Sequence, residues 1–485
     1  MSQKNDTPVV IAALLITLTL LGAGGWWLWR QFNARGGNPF GITSPSSSPS
    51  SPGVSGQVPS LAERLSSGER VFVVEGASAE KQAGVQAIAN GSFEEAIARF
   101  QASLTANPND PEALIYLNNA QIGLRIQKGE LPENNVATIA VAVPITSAVN
   151  PASEILRGVA QAQTEINETG GVKGYPLRIV IVTDDVDPNV VQQIATELVE
   201  TDVLGVVGHF GSDATLAAAA IYQASGLVML SPTSTSTAIS ELGDYVFRTV
   251  PSDRFTAAAL SRYMLNTLQK SNAAVYFNSQ SAYSNSLKDE FATALVTEGG
   301  QVLNEFDLSS SNFDAAATLE QANQQGVEVL VLLANTPTLD QALQVVTVNQ
   351  DQLALLGGDS LYNPKILQVG GAAAEGMTVA VPWVLLANPK TQFVQASRRL
   401  WGGDVNWRTA MAYDAVQVLV KGMQDSFPPT REGIKNALNS PNFVVEGATG
   451  TIRFLPSGDR NQPMQLVTIQ PGNRSGYGYD FVPVP

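Results

Sequence analysis

The sequence predicts an α/β protein with two lobes, each a doubly wound parallel sheet, joined by a hinge and preceded by a short all-α segment and a transmembrane helix. From Val136 onwards, short apolar runs alternate with longer helical stretches, which is typical of parallel sheets covered on both faces. About 350 residues follow this pattern, too many for one such sheet. We therefore expect two sheets, one in each lobe.

The composition excludes several classes of function. The chain has 485 residues, and its 28 Lys+Arg against 43 Asp+Glu give a net charge of -15, which argues against a nucleic-acid partner. Because there is no cysteine, the chain has no disulfide, thiolate metal cluster, cysteine nucleophile or lipid-carrying cysteine. The single histidine, His209, excludes any metal site that needs two imidazoles. No metal or cofactor is expected.

The N-terminus carries a long apolar run. Val9 to Trp29 contains no charged residue and as a helix would extend about 31 Å, enough to span a bilayer. A cleaved secretory signal is the alternative, but the run is longer than a usual signal core and no A-x-A site follows it. We expect an uncleaved signal anchor in residues 1–35, holding the protein at the membrane on its periplasmic or extracytoplasmic side.

A linker is predicted to follow the anchor. Residues 36–60 contain eight Ser, five Pro and five Gly and no charged residue, so they cannot bury enough apolar surface to fold. The rest of the chain is then a folded body tethered near a membrane, where a partner would meet it at raised effective concentration.

Residues 61–131 have helical spacing and resemble a tetratricopeptide repeat. The small, aromatic and helix-ending positions of that repeat are matched by Gly84, Gly91, Phe93, Ala96, Phe100 and Pro108. The match covers about one and a half repeats, whereas a solenoid normally needs about three. Two interpretations remain open: a protein-docking groove, or a helical spacer packed on its neighbour.

The remaining residues, 136–485, give the predicted elements of the lobes. Strands are expected at Thr138–Val143, Leu177–Val182, Val203–Val207, Leu227–Leu230, Ala273–Phe277, Val327–Leu333 and Leu353–Leu356, with helices at Glu154–Asn167, Asn189–Glu200 and Ala214–Ala224. Ligands of such sheets bind beyond the carboxyl ends of the strands, so the loops after the strands are the candidate sites.

Three of these loops have suitable chemistry. Gly208–Thr215 places Ser212 as the N-cap of a helix, where free backbone N–H groups suit a carboxylate. Ser231–Thr237 is rich in hydroxyls, and Asp253 follows a strand at a position able to receive an ammonium group. Plain helix capping and an ordinary polar turn are the alternatives for the first two loops.

The order of these motifs resembles the type I periplasmic binding proteins, in the leucine/isoleucine/valine-binding branch that serves ABC importers. The resemblance covers about Val136 to Pro485 and includes Pro144–Glu154, Glu165–Gly174, Asp184–Asp185, Gly208–Thr215, Ser231–Pro232, Phe247–Thr249, Gly357–Asp359 and Ala374–Met377. It implies two interleaved lobes that close over a ligand by rotation about the hinge. The lobes would take about residues 136–252 and 381–446, and about residues 253–380 and 447–485.

The resemblance also implies the ligand-binding residues. Ser212 and Thr235 would hold the α-carboxylate of an amino acid, with Thr233 contributing through its backbone. The α-ammonium would be received by Asp253, helped by Asp359, and Tyr283 would close over the ligand. Hydroxyl donors at one end and carboxylate acceptors at the other are what a zwitterion needs.

The side-chain pocket departs from the family. Where relatives often have aromatic residues, this sequence has Asn150 and Pro151 in the first loop and Asn335-Thr336-Pro337 after a later strand. We therefore expect a polar or small amino acid, or a broader set, as readily as a branched aliphatic one.

No catalytic residue is predicted, and the protein is not expected to be an enzyme. His209 and Ser212 are three positions apart, but no Gly-x-Ser-x-Gly elbow surrounds the serine, and the histidine matches a family residue without a catalytic role. The pair Asp184–Asp185 follows a strand and precedes Pro188, which indicates capping and turning rather than metal binding.

The predicted function is that of an extracytoplasmic substrate-binding protein. It would capture amino acids or amides between its lobes and deliver them to an ABC importer through the permease. The alternative is a membrane-tethered amino-acid sensor that signals to a partner protein without transport, because an anchor and a repeat-like segment are unusual for a binding protein that shuttles to a permease.

Overall fold

The computed structural model describes residues 61–185 and 187–484 of the chain. Within them no helix is both long enough and apolar enough to cross a bilayer. The predicted anchor at Val9–Trp29 and the predicted linker lie outside the described residues, so both remain predictions from the sequence.

The first described segment is helical. Its elements are α1 (Leu61–Arg64), β1 (Leu65–Ser66), α2 (Ala79–Ala89), α3 (Phe93–Ala106) and α4 (Pro111–Gln127). Asp110 caps α4 by accepting a hydrogen bond from the backbone N–H of Ala113, and Pro111 fills the first position, where its missing N–H costs nothing. A Cβ at Gly84 would lie 2.8 Å from the Phe100 ring, so glycine allows α2 and α3 to pack closely. The tetratricopeptide resemblance stays a prediction.

The first lobe is built on a six-stranded sheet. Its first elements are β2 (Ala137–Val143), α5 (Val149–Glu168), β3 (Leu177–Thr183), α6 (Pro188–Leu198), β4 (Gly205–Val207), α7 (Ser212–Ser225), β5 (Val228–Ser231) and β6 (Val246–Arg248). The strand order is β1-β3-β2-β4-β5-β6, parallel except for the short edge strand β1. Along β2, Ile139 and Val141 face one apolar cluster and Ala140 and Ala142 face another, so both faces are covered.

The second lobe is built on a seven-stranded sheet. After β6 the chain forms α8 (Asp253–Arg262), β7 (Asn272–Phe277), α9 (Ala282–Thr297), β8 (Gln301–Asp307), α10 (Ala315–Gln324), β9 (Val329–Leu333), α11 (Leu339–Asn349), β10 (Ala354–Gly357) and β11 (Thr378–Val381). These strands are parallel to one another in the order β11-β10-β9-β7-β8. The two sheets agree with the α/β architecture predicted from the sequence.

The chain then returns to the first lobe before it ends in the second. It forms α12 (Gln392–Trp401), α13 (Trp407–Asp425), α14 (Arg431–Leu438), β12 (Val445–Gly447), β13 (Gly450–Ile452), β14 (Gln465–Pro471) and β15 (Tyr479–Pro483). Helix α13 packs along α5. Strand β14 extends the second sheet antiparallel to β11, and β15 pairs antiparallel with β14. The lobes are therefore interleaved along the chain.

Residues 447–460, which the sequence analysis assigned to the second lobe, pack on the first. The ring of Phe454 lies 5.2 Å from that of Phe247 at the end of the first sheet. Arg460 forms an ion pair of 2.8 Å with the buried Asp414 of α13. The chain therefore crosses to the second lobe after Arg460 and before β14, because the aromatic and ionic contacts hold this segment against the first sheet.

The helical segment is joined to the first lobe. Strand β1 pairs with β3 as the edge strand of the first sheet, and α4 packs along α5. The Asn119 side chain donates to the carbonyl of Ile179 at 2.7 Å and accepts from its N–H at 3.2 Å, which satisfies backbone groups at a sheet edge. The segment thus lies against the lobe that it precedes.

Candidate functional site

A cavity of about 440 Å³ lies between the two lobes, beyond the carboxyl ends of the strands. This is where ligands bind in doubly wound sheets. The residues that line the cavity come from both lobes and include Ser147, Ala148, Pro188, Phe210, Gly211, Ser212, Asp213, Thr233, Asn278, Gln280, Ser281, Tyr283, Asn335, Thr336, Pro337, Asp359, Ser360, Trp407 and Arg408.

The first lobe contributes hydroxyl groups. Gly211 is the N-cap of α7, and Ser212 is the first helical residue rather than the cap that the sequence predicted. The Ser212 hydroxyl accepts a hydrogen bond of 3.3 Å from the backbone N–H of Ser236, and the Thr233 hydroxyl donates one of 2.8 Å to the carbonyl of Phe210. Both side chains are held by the loops that follow β4 and β5.

Arg248 joins the hydroxyl-rich loop Ser231–Thr237 to residues 447–460. It is fully buried and pairs with Asp459 at 2.6 Å. Its guanidinium also donates to the carbonyls of Ser236 at 2.7 Å and Ser234 at 3.3 Å. This planar group, with donors on several sides, ties the loop around Thr235 to the segment of residues 447–460, just before the chain crosses to the second lobe.

Thr235 and Asp253 form a buried pair beside the cavity lining. The backbone N–H of Asp253, the first residue of α8, donates to the carbonyl of Thr235 at 2.8 Å. Burial raises the pKa of Asp253 to about 7, and Asp359 adds to the rise, while Ser286, Thr235 and Arg248 oppose it. Neither carboxylate oxygen of Asp253 has a hydrogen-bond partner of ordinary geometry among the described residues. No basic side chain in residues 61–185 and 187–484 forms a hydrogen bond to this carboxylate.

Tyr283 and Asp359 meet on the second lobe. The Tyr283 hydroxyl donates to Oδ1 of Asp359 at 2.8 Å, and Oδ2 has no partner among the described residues. Burial raises the pKa of Asp359 to about 6, against the lowering effects of Arg408 and Tyr283. A Cβ at Gly358 would lie 2.5 Å from the Tyr283 hydroxyl, so the glycine before Asp359 makes room for this contact.

The six residues selected from the sequence fall into two groups. The structure places Ser212, Thr233, Tyr283 and Asp359 on the wall of the cavity, whereas Thr235 and Asp253 are buried and are not among the described lining residues.

Several lining residues were missed by sequence reasoning. Trp407 and Arg408 begin α13 and reach the cavity from the returning segment of the first lobe. The signal that could have found them is Asn406, a helix N-cap whose side chain accepts from the backbone N–H of Arg408 at 2.8 Å. The start of α13 therefore faces the cavity, although it does not follow a strand.

The side-chain pocket is partly as expected. Asn335 lines the cavity and accepts a hydrogen bond of 2.9 Å from Asn278. Asn150 and Pro151 do not belong to the described lining, because they lie inside the first turn of α5; Ser147 and Ala148, just before the helix, take their place.

The two lobes touch each other around the cavity. Oδ1 of Asp213, on α7, accepts a hydrogen bond of 3.0 Å from the backbone N–H of Ala282 at the start of α9. The backbone N–H of Thr237 donates to the hydroxyl of Ser286 at 3.0 Å. These contacts join the start of one second-lobe helix to the first lobe, which is a closed arrangement of the cleft.

His209 is buried in the core of the first lobe, where its ring is held by two neighbouring side chains. Its Nδ1 lies 2.7 Å from Asp184 and its Nε2 lies 3.3 Å from the Tyr222 hydroxyl, all within the first-lobe core. No hydrogen bond among the described residues joins His209 to Ser212, which a nucleophilic triad would require. In residues 61–185 and 187–484, no group of three or more His, Asp or Glu side chains is arranged to hold a metal ion.

The chain is similar in sequence to bacterial amino-acid-binding proteins. A leucine-, isoleucine-, valine-, threonine- and alanine-binding protein of Pseudomonas aeruginosa is 26% identical over 324 residues, covering 66% of this chain and 86% of that protein. A Leu/Ile/Val-binding protein of Escherichia coli is 24% identical over 293 residues, covering 59% and 79%.

Solved structures share the fold. An ABC transporter substrate-binding protein of Desulfitobacterium hafniense in complex with Leu has a TM-score of 0.60 at 25% identity, covering 71% of this chain and 99% of that one. A leucine-binding protein of Thermotoga maritima has a TM-score of 0.62 at 22% identity, covering 72% and 98%.

The family model described as periplasmic binding protein matches residues 136–475, most of the chain. That range holds every strand of the two sheets except the edge strands β1 and β15, and every lining residue of the cavity. Members of this family bind solutes and are not enzymes, which agrees with the expectation from the sequence. The chain therefore belongs to the periplasmic binding protein family, in its type I leucine/isoleucine/valine-binding branch.

Proposed function

We propose that this protein captures a free α-amino acid, or a related amide, in the cavity between its lobes and delivers it to an ABC importer. The observation that carries the proposal is the distribution of charge around the cavity. Hydroxyls of Ser212 and Thr233 stand on the first lobe, while Asp359, with one free carboxylate oxygen, stands on the second. These groups complement the two ends of a zwitterion.

In the proposed complex, Ser212, Thr233 and Thr235 receive the α-carboxylate, and Asp253 and Asp359 receive the α-ammonium. The ammonium supplies a cation in direct contact with the buried Asp253, to which no basic side chain of the described residues is hydrogen-bonded. Tyr283 orients Asp359 through its hydrogen bond and covers the ligand. The amino-acid ligands named for the relatives support this assignment.

The location follows from the family and the N-terminal sequence together. We infer an extracytoplasmic protein held at the membrane by the helix predicted in residues 1–35. The tether, residues 36–60, would let the binding unit meet a neighbouring permease without leaving the membrane surface.

A sensor is the second candidate. In its favour, the helical segment is joined to the first lobe by the pairing of β1 with β3 and by the hydrogen bond of Asn119. A partner protein that docks on this segment would therefore contact an element attached to a ligand-binding lobe. Uptake separates the candidates. A strain that lacks this protein should take up a labelled amino acid more slowly, with recovery by the wild type and none by Asp359→Asn. Normal uptake in that strain favours the sensor.

The ligand itself is tested by extraction. Protein purified without dialysis is denatured, and the released small molecules are identified by mass spectrometry. An amino acid or amide present at a substantial fraction of the protein concentration supports the proposal. A released aromatic acid or sugar without an amino group would overturn it.

A further inference from the structure

Arg408 is a buried cation on the wall of the ligand cavity. It is 5% exposed, and its guanidinium lies 4.3 Å from the ring of Trp407. A guanidinium carries five N–H donors, yet the guanidinium of Arg408 makes a single hydrogen bond among the described residues, from Nη1 to the carbonyl of Tyr362 at 3.2 Å. Nε has no acceptor there.

The acids of the cavity do not satisfy this group. Asp359 is the carboxylate with the largest influence on Arg408, but its hydrogen bond is made with Tyr283. Asp213 is engaged with the backbone N–H of Ala282. Buried arginines normally have acceptors, because an unpaired buried charge is costly. Arg408 therefore has donors to offer to a molecule in the cavity.

The neighbouring wall is polar as well. Asn278, Gln280 and Asn335 line the second-lobe side of the same cavity. Asn278 donates to Asn335 and Gln280 donates to the Ser279 hydroxyl at 3.2 Å, so these amides are oriented by contacts within the second lobe. An aliphatic side chain would leave Nε of Arg408 without an acceptor, whereas a carbonyl or carboxylate oxygen would accept a hydrogen bond from it. The planar fork of the guanidinium is well suited to an oxygen pair.

We propose that Arg408 selects amino acids whose side chain ends in an acceptor oxygen, either a carboxamide or a carboxylate. This specificity rests on the proposed function, since it assumes that an α-amino acid occupies the cavity. It distinguishes the protein from binders of leucine, isoleucine and valine, whose side chains offer no acceptor.

Calorimetry with L-glutamine, L-glutamate, L-alanine and L-leucine tests this specificity on the full chain. The wild type should bind glutamine or glutamate at least tenfold more tightly than leucine, and the preferred one of the two identifies the acceptor. Arg408→Met should weaken the binding of that ligand at least tenfold more than it weakens the binding of alanine. Arg408→Lys, which keeps the charge, should show an intermediate loss and guards against a folding defect.

The failures of the two proposals are distinguishable. The role of Arg408 is overturned if leucine binds as tightly as glutamine and glutamate, or if Arg408→Met leaves the ranking of ligand affinities unchanged. In both cases the protein still binds amino acids, so the proposed function is not contradicted. No binding of any of the four amino acids overturns the proposed function and the specificity with it.

A second inference concerns Arg64, in the segment that precedes the lobes. Its Nη1 pairs with Asp185 at 2.7 Å and donates to the carbonyl of Thr183 at 3.3 Å. The Thr146 hydroxyl donates to the same carboxylate, and the next residue, Ser147, lines the cavity. The geometry points to Arg64 as a positioning residue that holds two cavity loops from outside the binding domain.

Hydrogen exchange of the ligand-free full chain tests this role. Arg64→Gln should accelerate amide exchange at least fivefold in peptides covering residues 144–149 and 183–190, with no change in β2, and Arg64→Lys should restore slow exchange. Arg99→Gln is the control, since Arg99 belongs to the same segment but makes an exposed ion pair with Glu80. Unchanged loop exchange, or equal acceleration in β2, would overturn the role of Arg64.

Discussion

The Tyr283 hydroxyl donates a 2.8 Å hydrogen bond to Oδ1 of Asp359 and leaves Oδ2 of that buried carboxylate without a partner among the described residues. The contact orients the acid toward the cavity, where a ligand ammonium would find an acceptor. Tyr283→Phe should therefore weaken amino-acid binding about threefold to tenfold, the value of one hydrogen bond of about 0.5–1.5 kcal/mol. Titration calorimetry measures the change. Tyr477→Phe is the control because Tyr477 is exposed, and equal affinities of the Tyr283 variant and wild type would refute this orienting role.

Asp253→Asn tests the ammonium-binding assignment. The substitution keeps the shape of the side chain and removes its charge, so the affinity for any α-amino acid should fall by at least about 2 kcal/mol. Asp289→Asn is a matched control, since the Asp289 side chain is largely exposed. An Asp253 variant that binds as tightly as wild type would contradict the assignment.

Binding and stability should depend on pH in opposite directions. The folded pKa of Asp253, about 7, lies above its ordinary value of 3.8, so between about pH 4 and 7 the folded state binds more protons than the unfolded state. The contribution of Asp253 to the free energy of unfolding is therefore lost as the pH rises through 7. Ligand affinity rises over the same range, because an ammonium prefers the ionised carboxylate.

Thermal unfolding of the ligand-free protein and calorimetry at several pH values measure both effects. The stability and the affinity are each compared between wild type and Asp253→Asn, because the variant lacks the titrating group. Contributions of other acids are common to both proteins and cancel in the difference. A wild-type affinity that falls between pH 5.5 and 7.5 relative to the variant would be inconsistent with this account.

Asp213→Ala should speed ligand release. The carboxylate accepts a 3.0 Å hydrogen bond from Ala282 across the cleft, a contact that exists when the lobes are closed. Its loss should raise the dissociation rate roughly tenfold, since hydrogen bonds to charged groups contribute about 1.5–3 kcal/mol. Stopped-flow fluorescence records the rate, with the exposed Asp244→Ala as control. An unchanged dissociation rate would argue against this contact as a closure latch.

Gly158→Ala should destabilise the first lobe. A Cβ at this position would lie 2.1 Å from the carbonyl oxygen of Thr409 and 2.7 Å from the backbone nitrogen of Tyr413, so α5 and α13 would have to separate. We expect a loss of about 1–3 kcal/mol in the free energy of unfolding, measured by chemical denaturation. Gly403→Ala, where a Cβ meets nothing within 4 Å, should be near neutral. Equal stability of the two variants would refute the close helix contact.

The strands and the two-sheet architecture could be predicted because buried parallel strands leave uninterrupted apolar runs, as in β2 and β9. The edge strand β8 was missed, since its residues alternate in burial and include Asn304 and Glu305. The sequence predicted the last crossing between the lobes at residue 447, before its actual position after Arg460. The position of the crossing depends on contacts between residues far apart in sequence, such as that of Phe454 with Phe247.

Some residues of the candidate site could likewise be predicted from the sequence, and others could not. Ser212, Thr233 and Asp359 follow strands, where local sequence marks a loop at the cleft. Arg408 could not be found by that rule, because it lies at the start of a helix and enters the cavity through the close packing of α13 on α5. Likewise, the contact of Arg64 with Asp185 spans 121 positions and leaves no local signal.

Calorimetry of the purified full-length protein against the twenty amino acids, with urea and short amides included, shows whether the cavity between the lobes is an amino-acid site. We expect one or several amino acids to bind at micromolar concentration, with strongly weakened binding in Asp253→Asn and moderately weakened binding in Tyr283→Phe. No binding of any of these compounds by a correctly folded protein would contradict the claim that the cavity between the lobes is an amino-acid site.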